Sequence, residues 1–217
     1  MRILGRWVLT GVAVSFLIFN SGCRSTYYSM YETFGVYKRD LLKKNVEAAR
    51  DDQKKAAEQF KDALTRLKEM YGFQGGDLEK TYNKLKADYD KSEERANAVR
   101  EKINKVETVA SDLFKEWEKE IGTMQNAKLA ESSKEKLRST KEKYESLHAS
   151  MKKAETSMTP VLAQFKDQVL YLKHNLNAAA VGSLKGETVD IEKEIQNLIR
   201  DMNSSIREAD AFIQGLE

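Results

Sequence analysis

Leu78, Tyr82, Leu85, Tyr89, Ser92, Ala96, Val99, Ile103, Val106, Ala110, Leu113 and Trp117 follow one another at alternating intervals of four and three residues. Only Ser92 interrupts the apolar series. A period of 3.5 held over more than five heptads draws one narrow apolar seam along a helix. Left-handed coiled-coil packing is the arrangement that keeps such a seam buried. Leu137, Thr140, Tyr144, Leu147, Met151, Ala154, Met158, Val161 and Phe165 repeat the rhythm, and Val169, Leu172, Leu176 and Ala179 continue it after a one-residue slip. Two shorter stretches carry it as well. The first is Leu42, Val46, Ala49, Gln53, Ala56, Phe60, Leu64, Leu67 and Tyr71. The second is Ile191, Ile195, Leu198, Met202, Ser205, Ala209, Phe212 and Leu216.

These seams predict helices over residues 37–71, 77–122, 129–181 and 188–215. The connections, Gly72 to Gly76, Gly122 to Lys128 and Gly182 to Gly186, are short and rich in breakers, which makes neighbouring helices antiparallel. Asp77, just after Gly75 and Gly76, is placed to cap the second helix. The fold class is therefore all-α: an elongated antiparallel coiled coil, or up-down bundle, of three to four long helices. At 1.5 Å per residue a helix of about 45 residues spans roughly 65–70 Å, which predicts a rod. Pro160 falls inside the third seam. An interior proline removes a hydrogen bond at a cost of about 3 kcal/mol. The helix either kinks there or restarts with Thr159 as cap, and the preserved phase favours a kink. The second half of the third helix is more apolar than Glu131 to Lys153, and the fourth helix is short. Four helices are expected at one end of the rod and three or fewer near the N-terminal end.

Composition agrees with long solvated helices. One-third of the residues are charged, both signs alternate, and there is one proline. The formal net charge is +3. No basic block marks a nucleic-acid surface, and no nucleic-acid partner is expected.

The first 22 residues change the picture. Arg2 and Arg6 precede an apolar run from Val8 to Phe19, followed by Asn20, Ser21, Gly22 and Cys23. A basic start, a short apolar region, small residues and a cysteine make up the order of a bacterial lipoprotein signal peptide. The run is about 12 residues, whereas a spanning helix needs roughly 20. Ser21 and Gly22 suit the cleavage box, and Asn20 departs from its aliphatic preference. The expected organisation is a signal peptide at 1–22, a lipid-anchored aromatic-rich segment at 23–36, and a helical domain at 37–217. Cys23 is the lipidation candidate. With Arg24 rather than Asp after it, the expected place is the periplasmic leaflet of the outer membrane. Cleavage removes two arginines, so most of the apparent basicity belongs to the signal.

Candidate chemistry is sparse. Cys23 is the only cysteine, and His148 and His174 are the only histidines. Both fall beside the seam and read as surface residues. Glu145 and His148 have the spacing of a di-metal bundle ligand pair, but a second copy is missing. No catalytic, cofactor or metal residues are assigned, and the chain is read as a non-enzyme. Tyr27, Tyr28, Tyr31, Phe34 and Tyr37 crowd the stretch after Cys23. They read either as a belt at the membrane interface or as packing rings against Phe114, Trp117 and Ile121. Gln53, Ser92 and Ser205 are polar seam positions of the kind that fix register.

The run Tyr27-Tyr-Ser-Met-Tyr-Glu-Thr-Phe-Gly-Val-Tyr-Lys-Arg-Asp-Leu-Leu42, with Val46-Glu-Ala-Ala-Arg-Asp-Asp-Gln53 and Glu58-Gln-Phe-Lys61, resembles bacterial proteins grouped as domain of unknown function 2959. The resemblance implies an envelope lipoprotein rich in coiled coil, and implies no activity. Together these readings lead to an expected function. The protein is a membrane-anchored periplasmic spacer, scaffold or partner-binding rod, open to a protein partner or to self-association through its coiled coil. A membrane-remodelling or pore-forming helical protein is the alternative.

Overall fold

The computed structural model describes residues 37–73, 75, 77–185 and 188–216. Residues 1–36, which include Cys23, Tyr27, Tyr28, Tyr31 and Phe34, lie outside the described residues. The chain divides at Tyr37, and the unit from Lys38 onward is entirely helical among the described residues. It contains α1 (Lys38–Tyr71), α2 (Leu78–Thr123), α3 (Ala127–His174), the short α4 (Ala178–Leu184) and α5 (Thr188–Gly215). The all-α, up-down arrangement read from the heptads is the one found.

Each helix begins and ends for a local reason. Asp77 caps α2, its carboxylate accepting the Lys80 amide at 2.9 Å. Ahead of it the chain turns through Gly75, whose φ of 151° suits a residue without a Cβ. Asn126 caps α3, and its side-chain oxygen accepts from Lys128 N at 3.1 Å and Leu129 N at 3.2 Å. That cap starts α3 at Ala127, earlier than the expected 129, and Gly122 lies inside α2 rather than in the turn.

The expected third helix, continuous to residue 181, is two helices instead. Asn175 turns its amide onto the carbonyl of Tyr171 at 3.1 Å, and Asn177 accepts the Ala180 amide at 2.9 Å to start α4. Two asparagines offering side-chain bonds to the backbone end one helix and begin the next. Gly182 accordingly sits within α4. Ala179, expected on the third seam, belongs to α4 and is exposed, while Leu176 lies between the helices.

Pro160 does not break α3, which runs unbroken from Ala127 to His174. The proline is on the exposed face, where water can reach the Thr156 carbonyl left without an amide donor.

The four long helices form a closed ring: α1 on α2, α2 on α3, α3 on α5, and α5 back on α1. Each carries its seam inward. On α2 every seam position from Tyr82 to Leu113 is buried, with Leu78 and Trp117 half-buried at its ends. On α1 the strict alternation passes through Ala63 and Met70, and Leu64, expected on the seam, is only half-buried. On α3 there is no slip, because Gln168 holds the seam between Phe165 and Leu172. On α5 Ile191, Ile195, Leu198, Met202 and Ala209 are all essentially inaccessible. Burying each large aliphatic or aromatic side chain contributes about 1.5–3 kcal/mol, and these seams supply most of the stabilisation.

Pairs between helices fix the register. Arg66 meets Asp88 at 3.2 Å across α1–α2, and Arg50 meets Asp210 at 2.8 Å across α1–α5. Lys153 and Ser157 both reach Asp201 at 2.7 Å across α3–α5. Lys38, the first residue of α1, pairs with Glu116 of α2. At the same level Tyr144 of α3 meets Phe212 of α5 edge-on, with ring centroids 6.2 Å apart. Beyond that level only α2 and α3 continue among the described residues, as a hairpin turning at residues 124–126. The four-helix section thus takes in α3 from about Tyr144 to Leu172. The four-helix section is longer than the sequence suggested: Leu147 and Met151, expected on a bare seam, are fully buried. No helix among the described residues is long and apolar enough to cross a membrane.

Candidate functional site

Three places gather polar or reactive groups. The first lies on the outside of the α2–α3 seam. His148 Nε2 is 2.8 Å from Glu107 Oε1, and the ring stacks on Tyr144 at a centroid distance of 5.7 Å and an angle of 17°. Lys152 stands 3.9 Å from the same carboxylate oxygen and 2.6 Å from Glu155. The hydrogen bond to Glu155 raises the Lys152 ammonium pKa, so the cation is held more firmly. Burial pushes the Tyr144 hydroxyl up to about 12, and the Glu107 charge adds to this. Tyr144 in turn touches Phe114 at 5.4 Å. The partner of His148 is therefore Glu107, across the helix pair, and not Glu145 three residues before it on the same helix. The cluster joins the two helices through the contacts of Glu107 with His148 and Lys152 and the edge-on packing of Phe114 on Tyr144. Among the described residues no group of three His, Cys, Asp or Glu side chains could hold a metal ion. His174 is exposed in the last turn of α3, where with Lys173 it faces the negative end of the helix dipole.

The second place is the interior. Gln53, Ser92, Gln168 and Ser205 are buried. Ser92 donates to the Asp88 carbonyl of its own helix at 2.7 Å, and Gln168 accepts the Tyr71 hydroxyl from α1. Gln53 and Ser205 have no hydrogen-bond partner. The heptads exposed three of the four. Gln168 escapes the apolar pattern because Val169, next to it, is both apolar and buried, although Gln168 is the residue three onward from Phe165.

The third place is the hairpin end. A groove of about 470 Å³ runs between α2 and α3, floored by Ile121 and Leu137 and walled by Glu118, Lys134, Arg138, Lys141, Glu142 and Glu145. Cations and carboxylates alternate along it, so it selects neither an anion nor a cation. Such walls suit the mixed face of another helix. Trp117 is not free to line it: its indole N–H donates to Ser133 Oγ at 2.8 Å. Tyr37 is exposed, and so are Met124 and Leu129 at the α2–α3 turn. Pro160 is not part of any of the three.

These arrangements define an up-down four-helix bundle with surface ion pairs. The family described as Protein of unknown function (DUF2959) matches residues 27–216, and the chain belongs to that family. No curated protein matches it.

Proposed function

We propose that this protein is a non-enzymatic lipoprotein of the bacterial cell envelope, anchored through Cys23 in the periplasmic leaflet of the outer membrane and acting as a helical spacer or scaffold. The supporting observation is the point where the chain enters the bundle. α1 begins at Lys38, paired with Glu116 near the end of α2 that carries the α2–α3 turn. A tether upstream of Lys38 therefore holds the bundle by an end and not by its middle. Cys23 is 15 positions before Lys38. With 46 residues, α2 spans about 70 Å, a useful length for bridging or spacing. The charged outer faces and the groove over Ile121 and Leu137 remain for a helical protein partner.

The test is incorporation of radiolabelled palmitate into the native chain and into Cys23→Ser, with membrane fractionation. Label on the native chain alone, in the outer-membrane fraction, is the expected result. Absence of label with both proteins soluble would remove the anchored spacer. Specific turnover of an envelope substrate by the purified protein would remove the non-enzymatic reading.

A further inference from the structure

Helical serines and threonines in this bundle usually return their hydroxyls to their own backbone. Ser92 donates to Asp88, Ser157 to Lys153, Thr65 to Lys61 and Thr140 to Lys136. Ser205 is fully buried and does not: its Oγ bonds neither its own helix nor any other group. Gln53 is equally inaccessible, and both its amide oxygen and its amide nitrogen are unpartnered. The other buried amide, Gln168, has found Tyr71. The two exceptions lie on adjoining helices. The pairs Arg50–Asp210 and Lys68–Glu192 set the antiparallel register of α1 and α5, and that register brings Gln53 within one turn of Ser205. Two donors and two acceptors thus share one short stretch of the α1–α5 seam, removed from bulk solvent.

An uncompensated buried amide or hydroxyl costs roughly 1–3 kcal/mol, and nearly all such groups in folded proteins have a partner. The neighbours in this seam, Ala49, Ala56 and Ala209, are small and fully buried. A buried water characteristically joins two to four otherwise unpaired polar groups. We propose that Gln53 and Ser205 share an internal hydration site, in which sequestered water accepts from Gln53 Nε2, donates to Gln53 Oε1 and exchanges hydrogen bonds with Ser205 Oγ. All three unpartnered atoms are then satisfied.

The experiment uses the full chain labelled with 15N only in its glutamine side chains. The Gln53 amide signals are assigned by their loss in Gln53→Met, with Gln53→Leu as a second assignment variant should the first not fold. Through-space magnetisation transfer from water is then read at those signals. The expected result is a direct, long-lived water contact at the Gln53 amide protons, which is lost or weakened at least several-fold in Ser205→Ala. Gln53 amide protons with no water contact would overturn the proposal, as would a contact of full strength in a folded Ser205→Ala.

Discussion

The section of the bundle where four helices meet and the hairpin where α2 and α3 run on alone are made of the same heptads, yet they bury them differently. Around Leu147, Met151, Met158 and Phe165 the α3 seam is sealed by α5 as well as α2, and these side chains are essentially inaccessible. Nearer the turn, Ile121 and Leu137 keep 7 % and 6 % exposure, Met124 and Leu129 are exposed, and the hydrogen-bonded pairs Trp117–Ser133 and Lys141–Glu118 join the two helices there. The periodicity of a seam therefore reports only that one face is apolar. The number of partners decides how much stabilisation it yields.

The sharpest test of that contrast is truncation in each section. Phe165→Ala removes a fully buried ring in contact with Tyr89, at a centroid distance of 5.6 Å, and is expected to destabilise by about 3–5 kcal/mol. Leu129→Ala on the exposed hairpin should stay within about 0.5 kcal/mol. Urea denaturation followed by circular dichroism measures both. Equal losses would mean that the hairpin is as tightly held as the rest.

A smaller effect is expected at the caps. Asp77→Ala and Asn126→Ala each free backbone amides and should each cost about 1 kcal/mol if both helix ends belong to one cooperative unit. If the hairpin melts on its own, Asn126→Ala will show instead as faster hydrogen exchange near residues 127–134, with the global midpoint unchanged.

The acid response should come from the four-helix section. Burial alone would raise the Asp201 carboxyl pKa, but hydrogen bonds from Lys153 and Ser157 outweigh it, and the pKa is lowered. A carboxylate depressed in the folded state contributes stability that is fully present above its unfolded value, about 3.9. That stability is lost as pH falls through the lower folded value. Asp201→Asn should therefore lower the unfolding midpoint at pH 7 and leave it nearly unchanged near pH 2. The gap between the two proteins closes as acid is added. A gap independent of pH would mean that Asp201 acts by packing alone. A small effect is also expected for Arg50→Gln, which breaks a partly exposed pair with Asp210 and should cost about 0.2–1 kcal/mol, less in high salt.

The heptads were enough to place α1, α2 and α5 and most of their inward faces, because a period of 3.5 leaves little freedom once a helix is long. They failed where a side chain competes with that period. Asn175 and Asn177 end α3 early through bonds to the backbone, a local effect that apolar spacing does not register. Gln168 escapes that period because a polar residue holds the seam and an apolar one lies beside it. The partner of His148 could not be read from α3 at all, since Glu107 lies 41 positions earlier and meets it only when the two helices align. Ala63 and Leu64 show the same limit at finer scale: the larger side chain attracted the assignment, but the smaller one holds the interior position.

The ring of helices also has a temporal side. Three of its four contacts join helices that follow one another closely along the chain, and these can form by local zipping. The fourth, α1 against α5, closes over 160 positions at Arg50 and Asp210. Closing a long loop costs only slowly increasing entropy, but it must wait until the distant segment has arrived. During synthesis from the N-terminus, α1 emerges first and receives its last neighbour at the end. Until then Val46, Ala49 and Phe60 line a half-covered trough, so nascent chains are most vulnerable to mispairing along α1, even though it is among the best-buried helices once folding is complete.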